Sequence, residues 1–237
     1  MTKEEKLINK LSEYKQLFKT DQDVALKFTK PECFEKFGLY ENNCSTGPNV
    51  MLNINLRIPK LCFLVKDFLN NRYFCKRYYY LLYIAEQLKS SDIISKITLG
   101  FHEGNMLLPV LNVEPSGCDK TLVTIYATPS EDYFKPSRFL PEQNNVKQDL
   151  FNMNLDNDVL KNIPTIFYNS SLSHDVTLSL NSKYIKEILV EQNNIQEGIK
   201  LLCVWLKQRE LNIGLGAFTE NLILYFIIYL LSKKENQ

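Results

Sequence analysis

Residues 50–58 read Val-Met-Leu-Asn-Ile-Asn-Leu-Arg-Ile and decide the predicted fold. Aliphatic side chains stand at every second position, and Asn53, Asn55 and Arg57 stand between them. Because successive side chains of a β-strand point to opposite faces, this alternation predicts a strand with one apolar and one polar face. Asn53 and Asn55 are predicted to share the polar face, and Pro59 is predicted to end the strand.

Outward from this strand, the pattern predicts a mixed α/β head. Apolar residues at helical spacing favour a long helix over 67–89. Alternating segments then predict three shorter strands, at 96–101, 107–113 and 121–127. Several prolines follow, and Asn, Asp and Ser dominate 142–182, which is typical of a loop-rich segment with room for a short helix.

From residue 183 onward the pattern is helical. Asn194 and Glu197 have the spacing of a helix cap, and Gly214 and Gly216 precede a last helix predicted over 219–232. The predicted fold class is α+β, with a head over residues 1–155 and an all-helical module over 156–237. The last helix is apolar on nearly every side, so it needs cover on every side. We therefore expect the helical module to be incomplete at its C-terminal end.

Composition limits the function classes. The 237 residues include 28 Lys and Arg and 27 Asp and Glu, which gives a net charge of +1. Indiscriminate nucleic-acid binding usually shows a large basic excess, so an RNA contact would need a local patch. The six cysteines are scattered and there are two histidines, which disfavours a zinc site. The longest apolar stretch, 222–231, is about half the length of a bilayer span, so no membrane contact is expected.

The order of elements in the head is similar to that of a nucleotidyltransferase. Such enzymes place a Gly-Ser loop before a strand bearing Asp-x-Asp, whose carboxylates hold magnesium against a triphosphate. The equivalent pair here is Asn53 and Asn55, preceded by the loosely similar loop 45–47, and the later strand offers Asn112 without an acid. An amide brings no charge to balance two divalent ions. The pair is thus either a degenerate site or only the solvent face of a strand.

Four further segments carry a family resemblance. The segment Lys-Asp-Phe-Leu-Asn-Asn-Arg-Tyr-Phe-Cys-Lys-Arg at 66–77 resembles a signature of the Nrap family of nucleolar proteins and follows the strand at the expected distance. Segments 134–147, 164–171 and 202–218 resemble further family motifs in the same order. The chain departs from the family at Asn53, where members usually have Asp, and at Glu210 and Ala217, where they have Gly. Family members are also far longer.

The resemblance implies a fold and a role. The fold is a nucleotidyltransferase-like head followed by a helical module resembling that of poly(A) polymerase and oligoadenylate synthetase. The role is a non-catalytic, RNA-associated scaffold of the small-subunit processome in the nucleus and nucleolus, acting in ribosomal RNA processing and small-subunit biogenesis. The implied partners are pre-ribosomal RNA and other processome proteins, with no cofactor and no metal. The alternative is an active RNA-terminal nucleotidyltransferase with surrogate metal ligands.

Seven residues are candidates for RNA contact. The segment 71–80 mixes basic and aromatic residues, as RNA-binding surfaces do, and a loop-rich segment carries further basic and amide side chains that suit phosphates. The candidates are Arg72, Lys76, Lys135, Arg138, Asn144, Asn145 and Lys147. Alternatively, the first segment is a core helix with a solvated basic edge, and the second is a loop pinned by its own hydrogen bonds. His174 and Asp175 near Ser171 are read as neighbours in a polar loop, without a catalytic arrangement.

Overall fold

A computed structural model describes residues 28–146, 163–213 and 217–235 of the chain. The predicted domain boundary near residue 155, the candidate Lys147, and Gly214 and Gly216 lie outside these residues. The described residues form an α+β fold, as predicted from the sequence.

The head contains one five-stranded mixed sheet. Its strands are β1 (Phe34–Phe37), β2 (Val50–Ile58), β3 (Ile94–Phe101), β4 (Pro109–Pro115) and β5 (Thr121–Pro129). Their order is β1-β2-β5-β4-β3, with β2 and β5 parallel and the other neighbours antiparallel. The prediction of β2 is confirmed over its whole length, and the three later strands are confirmed with small shifts in their bounds. The short edge strand β1 was missed, because four residues are too few for a clear period.

Helix α1 (Arg72–Leu88) packs on the apolar face of the sheet. The core between them contains Ile58, Leu111, Ile125, Tyr80 and Leu81. The helix predicted over 67–89 begins five residues later than expected. Asn70 and Asn71 have φ of 56° and 59°, which is the left-handed region and cannot continue a right-handed helix. The residues before them form tight turns.

Helix α2 (Ile166–Glu191) overturns part of the loop prediction. Residues 166–182 were expected to be loop-rich and are helical. Tyr168, Leu172 and Val176 recur every four residues and enter the core of the head. Burial of this stripe outweighs the weak helix propensity of the Ser and Asn residues around it. The same helix continues into a second core through Ile185 and Leu189.

Helices α3 (Asn193–Gln208) and α4 (Glu220–Glu235) complete the second core. On α4, the residues Ile223, Leu224 and Ile228 are buried. Ile227 and Leu231 are partly buried against the same core. Five further apolar side chains of α4 are exposed by between 37% and 54%, namely Leu222, Tyr225, Phe226, Tyr229 and Leu230. The rest of the described chain therefore covers one side of this apolar helix and leaves the other open. No helix among the described residues is long and apolar enough to cross a bilayer.

A buried ion pair joins the elements of the head. Arg77 of α1 and Asp175 of α2 are both inaccessible to solvent, and Nε of Arg77 lies 2.9 Å from Oδ2 of Asp175. The guanidinium also donates to the carbonyl oxygens of Ala127 and Pro109, each at 2.7 Å. The Tyr73 hydroxyl donates to the same carboxylate at 2.7 Å. Burial alone would raise the pKa of Asp175, but Arg77 and its other partners hold this pKa below its usual value.

We predict that Asp175→Asn lowers the free energy of unfolding by about 3–5 kcal/mol, because it leaves a buried guanidinium without its counter-charge. The folded pKa of Asp175 is depressed, so its stabilisation is present above the unfolded value and is lost as the pH falls through the folded value. The difference in free energy of unfolding between the wild-type protein and the variant should therefore shrink from about pH 4 downward. Urea unfolding across this range measures it.

Asp92→Asn is the matched control, because Asp92 is exposed and its side chain forms no ion pair within the part of the chain that the structure describes. An equal effect of the two substitutions would contradict the assigned role of the buried pair.

Candidate functional site

A row of polar side chains crosses the sheet face opposite α1. Asn53 of β2 is paired in register with Thr124 of β5, which is paired with Asn112 of β4. The Thr124 hydroxyl donates to Oδ1 of Asn112 at 3.2 Å. Directly paired residues share a face, and so do Asn53 and Asn55, two positions apart on one strand. The sheet thus brings together three positions that the sequence singled out.

Asn53 and Asn55 have different surroundings. Asn55 is 2% exposed, and its amide forms two hydrogen bonds with the Thr128 hydroxyl, of 2.8 and 3.0 Å. That amide is part of the packed interior. Asn53 is half-buried and lines an open cleft. The structure therefore places only one of the two residues where a ligand can reach it.

The cleft lies between the sheet and helices α3 and α4 and has a volume of about 580 Å³. We call it the amide cleft, after the side chains of Asn49, Asn53, Gln208, Asn212 and Asn221 that line it. The loop 45–47 forms one wall of this cleft, together with Asn53. Lys207 of α3 donates to Oγ1 of Thr46 at 2.9 Å and forms an ion pair with Glu220 of α4.

The side chains in the amide cleft limit its chemistry. Among the described residues that line it, Glu220 is the one carboxylate, and Lys207 neutralises it. The described part of the chain has no group of three or more His, Cys, Asp or Glu side chains that could hold a metal ion. Two-metal catalysis of phosphoryl transfer needs several carboxylates around the ions. The described residues do not supply them.

Sequence reasoning missed Lys207, Gln208 and Asn221 as residues of the cleft. They lie far from Asn53 in sequence and reach it only through the packing of α3 and α4. The usable signal was the motif at 202–218, which includes two of them. This motif served as evidence of the family in the sequence and was assigned no function.

The basic candidates on α1 are not displayed equally. Lys76 is buried, and its Nζ lies 2.7 Å from Oδ2 of Asp67 and 3.0 Å from the carbonyl oxygen of Cys62. A phosphate could not reach it in this fold. Arg72 is half-buried at the start of the helix. The alternative interpretation of this segment, a core helix with a basic edge, fits these positions.

The loop candidates divide into two groups. Lys135 and Arg138 are exposed beside a short 3₁₀ turn, and neither forms an ion pair with another described residue. Asn145 is buried and donates to Oδ1 of Asn169 at 2.7 Å and to the carbonyl of Arg138 at 2.9 Å. Asn144 accepts a hydrogen bond from the backbone of Val146 at 3.1 Å. The two amides hold the loop in place, and the two basic side chains face solvent.

His174 and Asp175 lie on helix α2, contrary to their expected place in a loop. Asp175 is bound to Arg77, and the Ser171 hydroxyl donates to the backbone of Phe167 at 2.8 Å. The His174 ring lies 4.8 Å from that of His102, centroid to centroid. Burial, followed by the charge of His174, lowers the pKa of His102. Ser171 is thus engaged elsewhere and is not arranged as a nucleophile.

Fold and site together define an α+β protein with a polar, charge-balanced cleft. The sequence profile of Nrap protein domain 1 matches residues 2–191. Nucleolar protein 6 of Drosophila pseudoobscura pseudoobscura is 35% identical over 190 residues, which cover 78% of this chain and 16% of that protein. The proteins of the same name from Mus musculus and Homo sapiens are 32% and 31% identical, over 89% of this chain and 18% and 19% of their own length.

The chain therefore belongs to the Nrap family, and its relatives place it in the nucleus and nucleolus. It spans less than a fifth of the length of these curated relatives. The family resemblance seen in the sequence motifs is confirmed.

The different surroundings of the two amides predict different responses to restored carboxylates. Asn55→Asp should lower the free energy of unfolding by about 1–3 kcal/mol at neutral pH, because it buries a charge and removes the donor to Thr128. Its pKa should be raised by burial, so stability should recover as the pH falls and the carboxyl is protonated. Asn53→Asp, at the open cleft, should change stability by less than about 0.5 kcal/mol.

Urea unfolding of both variants at neutral and acidic pH measures the difference. Equal losses, or a larger loss for Asn53→Asp, would contradict the burial that the structure assigns to these residues.

Proposed function

We propose that the chain is a non-catalytic, RNA-associated part of a scaffold protein of the small-subunit processome, acting in ribosomal RNA processing and small-subunit biogenesis. The observation that carries this proposal is the amide cleft. Of the two residues that replace the carboxylate pair, Asn53 lines this cleft and Asn55 is buried and bonded to Thr128. Membership of a family whose curated relatives are named nucleolar proteins supports the role in ribosome assembly. The partners are then pre-ribosomal RNA and other processome proteins.

The proposal treats the head as nucleotidyltransferase-like. The loop 45–47, the polar strand β2 and two helices of the helical module border one cleft, and this supports the comparison with a nucleotidyltransferase head that the family resemblance implies. Within this arrangement, the loss of carboxylates removes the means to hold catalytic magnesium. The runner-up is an active RNA-terminal nucleotidyltransferase that uses surrogate ligands, and the polar row of Asn53, Thr124 and Asn112 is the observation in its favour.

We predict that the purified chain does not extend a single-stranded RNA primer with any of the four nucleoside triphosphates, in magnesium or manganese. The physical reason is the missing negative charge in the cleft. Gel separation of an end-labelled primer measures extension. Activity above background that Asn53→Ala abolishes, and that the exposed control Asn181→Ala retains, would establish the runner-up.

The exposed loop predicts where RNA binds. Binding should be weak and salt-sensitive, and the double variant Lys135→Glu, Arg138→Glu should lower the slope of log affinity against log salt by roughly two, since each side chain can contact one phosphate. The control is Lys30→Glu with Lys120→Glu. Both lysines are exposed and, within the described ranges, form no ion pair.

Fluorescence anisotropy with a labelled single-stranded RNA at several salt concentrations measures both pairs. Equal losses for the loop variant and its control would show that overall charge, and no local patch, governs binding. Absence of any RNA binding by the wild-type chain would refute the RNA-associated role of this part of the protein.

A further inference from the structure

The amide cleft contains several hydrogen-bonding groups that have no partner among the described residues. Within the described residues, none of the side chains of Asn49, Asn53, Gln208 and Asn221 forms a hydrogen bond. Oδ1 of Asn212, in the same lining, is shielded from solvent and has no partner. Buried polar groups in folded proteins are normally hydrogen-bonded, so Oδ1 of Asn212 is the exception here, whereas the amides of Asn49 and Gln208 are open to solvent. One buried oxygen without a partner, beside four amides that are free to bind, points to a ligand in this cleft.

The backbone leaves room for two of these amides. Gly38 has φ of +84°, and a Cβ atom there would lie 2.8 Å from Nδ2 of Asn53 and 4.0 Å from Oδ1 of Asn221. The donor Nδ2 of Asn53, from β2, and the acceptor Oδ1 of Asn221, from α4, thus both lie close to Gly38, which carries no side chain. An adjacent donor and acceptor match the edge of a nucleobase, which presents the complementary pair.

The charge of the cleft argues against a phosphate as the bound group. Lys207 is the one cation among the described lining residues, and it is held by Glu220 and by Thr46. A triphosphate would have to displace Glu220, and it would meet no metal ligands. A neutral group with both donors and acceptors has no such cost. The side chains of Met51 and Val204, which are 54% and 40% exposed, offer apolar surface beside the amides for the flat face of a base.

We propose that the amide cleft binds one unpaired nucleobase of single-stranded RNA through the base edge. The proposal rests on the RNA-associated role proposed above and names the ligand of the cleft. A volume of about 580 Å³ is sufficient for a nucleoside. The phosphates stay outside the cleft.

The test compares two labelled probes by fluorescence anisotropy with the full 237-residue chain. One is a tetra-adenylate RNA and the other is the same sugar-phosphate backbone without bases. We expect the wild-type chain to bind the base-bearing probe at least about fivefold more tightly, the lower end of the contribution of one stacked base. Gln208→Ala with Asn221→Ala should abolish this difference. Gln87→Ala with Asn181→Ala, which change two exposed amides elsewhere, should retain it.

Two further variants keep the result interpretable. Asn53→Asp preserves size and one oxygen but loses the amide donor that β2 supplies, and it should also reduce the preference for bases while its urea midpoint stays close to the wild-type value. Lys207→Met should change the affinity for tetra-adenylate less than about threefold, since no phosphate contact is lost. A loss above tenfold with a reduced salt slope would identify a phosphate site and overturn the proposal.

Failure of the inference and failure of the proposed function give different results. One outcome is that the two short probes bind equally well, while Lys135→Glu with Arg138→Glu still weakens the binding of a longer RNA. This outcome would refute the nucleobase site and leave the RNA-associated role intact. A base preference that depends on Gln208 and Asn221, with no effect of the loop variant on the longer RNA, would support the nucleobase site and refute the exposed loop as an RNA contact.

Discussion

The ion pair of Arg77 and Asp175 is the constraint on which the arrangement of the other elements depends. Two fully buried charges are costly to remove from water, and their attraction offsets the cost only when the geometry is good and the remaining groups are hydrogen-bonded. Here the guanidinium binds a carboxylate and two backbone carbonyls, at Ala127 and Pro109. Its Nη2 is buried and has no hydrogen-bond partner among the described residues. These contacts tie α1, β4, β5 and α2 together at one point. A shift of any of the four would leave a buried charge or carbonyl without a partner.

The orientation of α2 in turn positions the amide cleft. Its first half lies in the core of the head and its second half in the core with α3 and α4. The chain between β1 and β2 joins that second core through Leu39 and Cys44. Cys44 is buried there, and this burial raises the pKa of its thiol to about 11. The loop 45–47 is therefore anchored to the helices at one end and to the sheet at the other. The amide cleft is the space between this loop, strand β2 and helices α3 and α4.

Local patterns predicted the elements whose burial is periodic along the chain. Strand β2 was found at its true bounds because one of its faces is apolar and the other polar. The helical nature of 166–182 was not predictable from composition, since its Ser and Asn residues favour loops and become helical only through the core contacts of Tyr168, Leu172 and Val176. The same limit applies to the site. The sequence singled out Asn53 and Asn55, but only tertiary packing shows that Asn55 is inside and that Lys76 is bound by Asp67. Packing also shows that α3, α4 and the segment between them supply three of the five amides of the cleft.

The amides at positions 53 and 55 need no cation to neutralise them. Two carboxylates on neighbouring positions of one strand face would repel each other and would resist burial unless cations neutralised them. Asn55 has no such requirement, because its amide pairs with the Thr128 hydroxyl as both donor and acceptor. With Asn55 turned inward, Arg57 on the same face can bind Glu35 and Glu131, so the charges of β2 are balanced within the protein. The part of the polar face that remains open to solvent is the uncharged side chain of Asn53. A cleft whose charges are balanced selects ligands by hydrogen-bonding pattern and shape.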